Sequence, residues 1–362
     1  MNVMASHSLS HVDPTFIQDF GDSLRYLKTF LHARKAHPFI IAASGSIGWD
    51  MITANLTVPG DNVLVLNAGY FGVRFIDCLK TFDCNVTDLK VAKSGQIHDV
   101  DAVKAAVSSS IKYKMVTITQ VDTSTGILSK VKEIADAVHA ASPETLIVVD
   151  GVCSIGGEEF KFDDWHIDAL MTASQKALGC PAGLSIQVLS DRALKSVQNR
   201  KEKIRSFYGN YLNWLPIMQS YESGKASYFA TPAVHLVRSL KTSLQELVEK
   251  HGYDQVMANH LKASEYVKQK LRSAIPSVKF VPEGEAGAAH TMTACYFMSD
   301  LKDPALFLKR VKELGVVIAG GLLKDIPGYF RVGHMGYSVN EKGQDHLDRA
   351  IHAIVTAYNE QK

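Results

Sequence analysis

The chain has 362 residues, enough for about two domains or for one large α/β domain with an appendage. Apolar residues make up 46% and charged residues 21%, which excludes a disordered chain, a collagen-like repeat and a disulfide-stapled miniature fold. The 39 basic and 37 acidic side chains leave a net charge of +2 with no long run of Lys or Arg, so no nucleic-acid partner is expected.

The first twenty positions, Met1 to Phe20, carry Asp13 and Asp19, no Arg and no apolar core, so neither a secretory nor a transit peptide is expected. No stretch approaches the ~20 uninterrupted apolar residues of a membrane span. The sequence closes on Glu360-Gln361-Lys362, which is not the small peroxisomal address. The five cysteines, Cys78, Cys84, Cys153, Cys180 and Cys295, show no CxxC spacing. That pattern fits reduced thiols in a cytoplasmic setting and no zinc site, and the scattered histidines add no metal motif.

In chain order, short apolar runs alternate with helical patterns, as in a mainly parallel sheet covered by helices. Phe39–Ala43 reads as a buried strand running into a helix near Ser46. Val63–Asn67 is the next strand, followed by a helix from about Gly72 to Phe82, a weaker strand Asn85–Lys90 and a better one Lys114–Gln120. Ser129–Ala141 is amphipathic, with Val131, Ile134, Ala135 and Val138 on one face. Thr145–Asp150 is the strongest strand, and Asp168–Thr172 and Gly183–Leu189 complete the set. Their near-continuous apolar character implies cover on both faces.

The pattern then changes. Tyr208–Tyr228 is aromatic and irregular, punctuated by Gly209, Pro216 and Gly224. A helical pattern runs from Pro232 to a stop at Gly252, and the last helix spans about Asn340 to Asn359. These shifts divide the chain into a large α/β domain, 1–250, and a smaller α+β domain, 251–362.

Three places could carry chemistry. Ser44-Gly45-Ser46-Ile47-Gly48 joins a strand to a helix with small residues, which suits a phosphate at a helix N-terminus and equally suits a plain tight turn. It is not a Walker loop, and Asn67 stands where a dinucleotide-binding strand would end in an acid. Asp150 ends an apolar strand at the carboxyl edge of the sheet, where ligands of open α/β folds bind. It needs a partner there, which a helix cap or an ion pair would also supply. Lys176 follows a short strand among Ala173, Ser174, Ala177, Gly179, Ala182 and Gly183, small neighbours that would admit a planar group to a Schiff-base lysine. An Asp and a Lys at adjacent strand ends match the two contacts that pyridoxal phosphate requires.

With these residues in view, the sequence resembles the class V pyridoxal-phosphate aminotransferases of fold type I, closest to their alanine–glyoxylate and serine–pyruvate group. The resemblance is carried by SGSIGWD (44–50), VDTSTGIL (121–128), VVDGVCSIGG (148–157), TASQKALGCPAGLS (172–185), YFATPAVHLVRSL (228–240), VVIAGG (316–321) and FRVGHMG (330–336). It implies a large, mostly parallel sheet domain with a smaller C-terminal domain, and pyridoxal 5'-phosphate as cofactor. By the same resemblance Lys176 bonds the cofactor and moves the Cα proton, and Asp150 keeps the pyridine nitrogen protonated. Val152 and Phe71 would flank the ring, Phe71 where an aromatic, commonly Trp, stacks. Thr123 would contact the ring oxygen, and Ser44, Gly45, Ser46 and Gln175 the phosphate. Tyr228 and Thr231 would reach the cofactor of a second subunit, which implies a homodimer. Arg331 would clamp the substrate carboxylate as a two-point fork. Members of the group commonly carry a Gly-Pro-Gly-Pro-like segment ahead of the point at which this sequence starts.

The resemblance therefore implies transfer of an amino group from alanine to glyoxylate among small monocarboxylic amino and 2-oxo acids. Serine donors, other class V chemistries such as desulfuration, and a non-catalytic relative are the alternatives. It also admits a peroxisomal location. A desulfurase would need a mobile reactive cysteine, and Cys295, inside the apolar run Thr293–Met298, reads as core.

Overall fold

The computed structural model describes residues 2–362. Twelve strands are found among them. They are β1 (His37–Ala42), β2 (Asn62–Asn67), β3 (Asn85–Lys90), β4 (Tyr113–Thr119), β5 (Val121–Asp122), β6 (Ile127–Leu128), β7 (Leu146–Asp150), β8 (Ala169–Ala173), β9 (Leu184–Leu189), β10 (Met292–Tyr296), β11 (Ala319–Gly320) and β12 (Tyr329–Gly333). Seven of these form one sheet in the order β1-β9-β8-β7-β4-β2-β3. Neighbours are parallel except at β9, which runs antiparallel to both β1 and β8. Every residue of β7, β8 and β9 is buried, as expected of strands covered on both faces.

Because β1 shares its direction with β8, the ends of β1, β2, β4, β7 and β8 lie on one edge. Asp150 is the last residue of β7, and the segments that follow β1, β2, β4 and β8 carry Ser44–Ser46, Phe71, Thr123 and Lys176 respectively. The topology alone therefore gathers residues more than a hundred positions apart.

One face of the sheet is closed by α1 (Pro14–Phe30), whose first turn is capped by Asp13 accepting from the Thr15 amide at 2.8 Å. It buries Phe16, Phe20, Leu24 and Leu27, and packs on helices Tyr211–Glu222 and Val234–Gln245. Helices α2 (Ile47–Leu56) and α3 (Tyr70–Thr81) follow β1 and β2. No helix is long and apolar enough to cross a membrane among the described residues.

Three segments depart from the sequence expectation. Tyr208–Tyr228 is not irregular: it contains the helix Tyr211–Glu222 with Pro216 inside, stabilised by burial of Trp214, Ile217, Met218 and Tyr221. The pattern from Pro232 to Gly252 splits into the α-helix Val234–Gln245 and a π-helical turn Glu246–His251, ending at Gly252 with φ +78°. The last long helix starts at His346 rather than near Asn340, after a short turn Tyr337–Asn340 and Gly343 at φ +77°.

The main core runs from Phe16 to Val256, and a second, from Val267 to Tyr358, lies around the antiparallel sheet β10-β12-β11. A third cluster holds Val121 and Cys153 together with Ala289, Met292, Ala294 and Tyr329. Cys295 is fully buried in the second core.

Candidate active site

The loop between β1 and α2 is drawn tight by three backbone bonds, Ile47 to Ser44 (3.1 Å), Gly48 to Gly45 (2.9 Å) and Trp49 to Ser46 (3.2 Å). A Cβ on Gly45 would stand 2.8 Å from the Ala173 Cβ, so only glycine lets the loop lie against the end of β8. Ser44 and Ser46 stay exposed, and Ser46 makes no side-chain cap to α2. Two exposed hydroxyls at the positive end of a helix are a set suited to a phosphate.

Asp150 is only 4% exposed at the end of β7. The Val152 amide donates to Oδ1 at 3.1 Å and the Trp49 indole donates to Oδ2 at 2.9 Å. Burial pushes the carboxyl up to about 6; these two bonds work against the rise, and the Asp122 carboxylate adds to it. No basic side chain lies within ion-pair distance of Asp150 among the described residues. A buried carboxylate held this way is matched by a protonated ring nitrogen.

Lys176 is half-buried just beyond β8, while its neighbour Gln175 is exposed. Its ammonium acts on Cys153, opposing the burial that pushes that thiol up to about 12. Gly336, just after β12, covers the turn, with its would-be Cβ 3.6 Å from the Lys176 carbonyl.

Phe71 lies in the first turn of α3, and its amide donates to Asp122 Oδ2 at 3.2 Å. Asp122 is 1% exposed and also accepts the Ser124 amide (2.9 Å) and hydroxyl (2.6 Å) on Oδ1. Thr123 is thereby fixed between two anchored neighbours. Arg331, on β12, donates from Nη1 to the Thr123 carbonyl (3.1 Å) and from Nε to the Gly320 carbonyl (2.9 Å). Burial lowers its guanidinium from the ordinary arginine value. Arg331 is thus a half-buried cation tied to two carbonyls, with the buried Asp122 carboxylate near enough to act on it, and it keeps its charge for an anionic group.

The aminotransferase class-V family matches residues 1–323. The chain is a class V aminotransferase. An alanine–glyoxylate aminotransferase of Saccharomyces cerevisiae is 38% identical over 364 residues, covering 98% of this chain and 93% of that protein. A serine–glyoxylate aminotransferase of Arabidopsis thaliana is 25% identical, covering 88% and 77%. The solved alanine–glyoxylate aminotransferase of Nostoc sp. superposes with a TM-score of 0.90 at 23% identity, covering 98% of this chain and 90% of that one. The fold expected from the sequence, a large mostly parallel sheet domain of fold type I, is the fold observed.

Class V aminotransferases use pyridoxal 5'-phosphate, and the residues at this edge fit it. The Gly45 cradle suits the phosphate, and the unpaired buried Asp150 suits the ring nitrogen. When bound, the cofactor supplies an electron-withdrawing ring and a carrier for the amino group.

Two residues stand apart in this class V aminotransferase. Tyr228 is 61% exposed, and its hydroxyl lies 3.2 Å from the Thr231 Oγ1, with His11 at 5.2 Å between ring centroids. Among the described residues no hydrogen bond links either to Ser44–Ser46, Asp150 or Lys176. Conversely, sequence reasoning assigned no role to Trp49 or Asp122, although both fall within motifs that carry the resemblance. A buried-strand acid preceding Thr123 was the available signal for Asp122. Trp49 offered none beyond its place one helical turn past Ser46.

Proposed function

We propose that this enzyme transfers the amino group of L-alanine to glyoxylate, giving pyruvate and glycine in a ping-pong cycle. The carrying observation is the 38% identity, over 98% of the chain, with an aminotransferase of that activity. Lys176 and Asp150 are the catalytic pair: Lys176 holds the cofactor and moves the Cα proton, and Asp150 maintains the ring nitrogen's charge. Ser44, Gly45, Ser46 and Gln175 take the phosphate, Thr123 the ring oxygen, and Val152 and Phe71 the two ring faces. Arg331 takes the substrate carboxylate.

The working unit in this reading is a homodimer in which Tyr228 and Thr231 serve the partner's cofactor. Their exposure in the single chain supports it. Residues 1–250 and 251–362 act as two bodies whose joint contains the site, and the enzyme is cytoplasmic.

Steady-state turnover with alanine and glyoxylate tests the activity, with serine as rival donor and 2-oxoglutarate as rival acceptor. Faster turnover with serine would replace the donor and keep the rest. Absence of glycine from either donor would overturn the proposal.

A further inference from the structure

Trp49 makes a side-chain bond to Asp150, and the reason lies in packing. A Cβ on Gly48 would stand 2.9 Å from the Met171 Cβ, so the first turn of α2 sits directly on β8. Met171 is the residue paired with Asp150 across β7 and β8. The next residue along, Trp49, therefore reaches the Asp150 carboxylate, and its indole nitrogen stands 2.9 Å from Oδ2. The ring is held from behind by Phe75, stacked at 5.9 Å and 27°, and flanked by Phe71 at 6.4 Å. Its own amide is bonded to the Ser46 carbonyl at 3.2 Å.

We propose that Trp49 is a positioning residue for Asp150: its indole N–H holds Oδ2 while the Val152 amide holds Oδ1, fixing the carboxylate's plane and keeping it ionised toward the cofactor's ring nitrogen. This rests on Asp150 being the ring-nitrogen partner. A hydrogen bond to a charged acceptor favours the charged form, and here it opposes the burial that disfavours it. One consequence follows from spacing. Ser44–Ser46 and Trp49 belong to a single rigid turn, so the phosphate end and the ring-nitrogen end of the cofactor are set by the same short segment.

The sharpest test replaces the Trp49 indole by benzothiophene, which keeps shape and stacking and removes only the N–H. Trp49→Phe serves as a second variant, and thermal unfolding checks that both fold. Three quantities are read. They are the dissociation constant for pyridoxal 5'-phosphate, the pH midpoint of the bound cofactor's visible band, and the Asp150 carboxyl titration by carbon NMR in the cofactor-free chain. We expect cofactor binding weakened roughly tenfold and the Asp150 titration raised by about one pH unit. Folded benzothiophene protein with unchanged affinity and titration would overturn the proposal. Asp150→Asn separates this from the reading beneath it. If Asp150→Asn weakens binding and the benzothiophene protein does not, Trp49 alone is wrong; if Asp150→Asn binds normally, the Asp150 assignment falls and takes the proposal with it.

Discussion

Arg331 on β12 and Thr123 beside β5 are joined directly, the guanidinium Nη1 donating to the threonine carbonyl at 3.1 Å. The bond orients Arg331 without neutralising it, because a carbonyl brings no charge. It also ties β12 of the small antiparallel sheet to the loop after β5. Thr123 is held in turn by Asp122, which also anchors the amide of Phe71. Any movement of β12 would therefore be felt at Thr123 and, through Asp122, at the start of α3.

The Lys176 assignment is checked chemically. Borohydride reduction of the purified enzyme is expected to fix the cofactor to the peptide that contains Lys176, as read by mass spectrometry. Lys176→Ala should lose that label and about 10²–10⁴-fold of turnover, since no group remains to move the Cα proton. Substantial transamination by the variant would sink the assignment.

Asp150 carries a pH signature of its own. Its carboxyl is held at about 6, above the ordinary 3.8, chiefly by burial. The folded, cofactor-free chain thus binds this proton more tightly than the unfolded chain. Stability from this group is complete below pH 3.8 and is lost as pH rises to about 6, a change on the order of 3 kcal/mol. Asp150→Asn should therefore stabilise the cofactor-free chain at pH 7 in urea unfolding, yet weaken cofactor binding. Wild-type binding should itself weaken below about pH 6, where the carboxylate is lost. A variant that is neither more stable nor weaker in binding contradicts the assignment.

The sheet and the Asp150–Lys176 pair were legible because buried parallel strands are written as apolar runs and their ends are where ligands bind. The α1 signal was present but unassigned: Asp13, Pro14 and apolar Phe16, Phe20, Leu24 and Leu27 form a capped amphipathic start. The helix around Pro216 was hidden by its proline, which argues against a helix interior unless tertiary burial compensates, as it does here. Trp49 could not be found from pattern. An aromatic one turn into a helix reads as core, and its bond to Asp150 spans 101 positions. The Arg331–Thr123 contact spans 208 and has no local trace either.

His334 sets an acid limit of the opposite sign. Burial holds it down to about 3, from 6.5, with the Lys268 charge adding to the effect. Its Nε2 is 2.8 Å from the Thr293 Oγ1, and its Nδ1 is buried without a partner. The unfolded chain therefore takes up this proton first. Stability from neutral His334 is present above pH 6.5 and is lost as pH falls toward 3, by on the order of 5 kcal/mol over the whole range. In His334→Gln, the fall in stability between pH 6.5 and 4 should be shallower than in the wild type, by denaturant unfolding at each pH. Equal slopes would mean the histidine is not the titrating group.

Assembly is checked by sedimentation. Phe207 is 79% and Tyr228 61% exposed in the single chain, a large aromatic surface to leave in water. The enzyme is expected to sediment as an isologous dimer. Tyr228→Ala and Thr231→Ala should remain dimeric and bind the cofactor more weakly. A fully active monomer at working concentration would refute the shared site.

The last expectation concerns substrate choice. A dicarboxylate such as glutamate brings a second charge that must be desolvated, and without a second cation that burial is costly. Arg331 is the one arginine the motifs match to a carboxylate. Its Nε and one Nη1 hydrogen are already committed to Gly320 and Thr123. Nη2 makes no hydrogen bond among the described residues, which leaves donors for one carboxylate. Alanine, serine, glyoxylate and pyruvate need no more than that, so they should be preferred clearly over glutamate and 2-oxoglutarate. Arg331→Ala leaves a substrate carboxylate without its partner and should cost about 2–5 kcal/mol in kcat/KM. Arg331→Lys should recover only part of the loss, because an ammonium can neither form the planar fork nor reach both carbonyl anchors together. Equal kcat/KM for alanine and glutamate, or an Arg331→Ala variant within about twofold of the wild type, would remove Arg331 from the site.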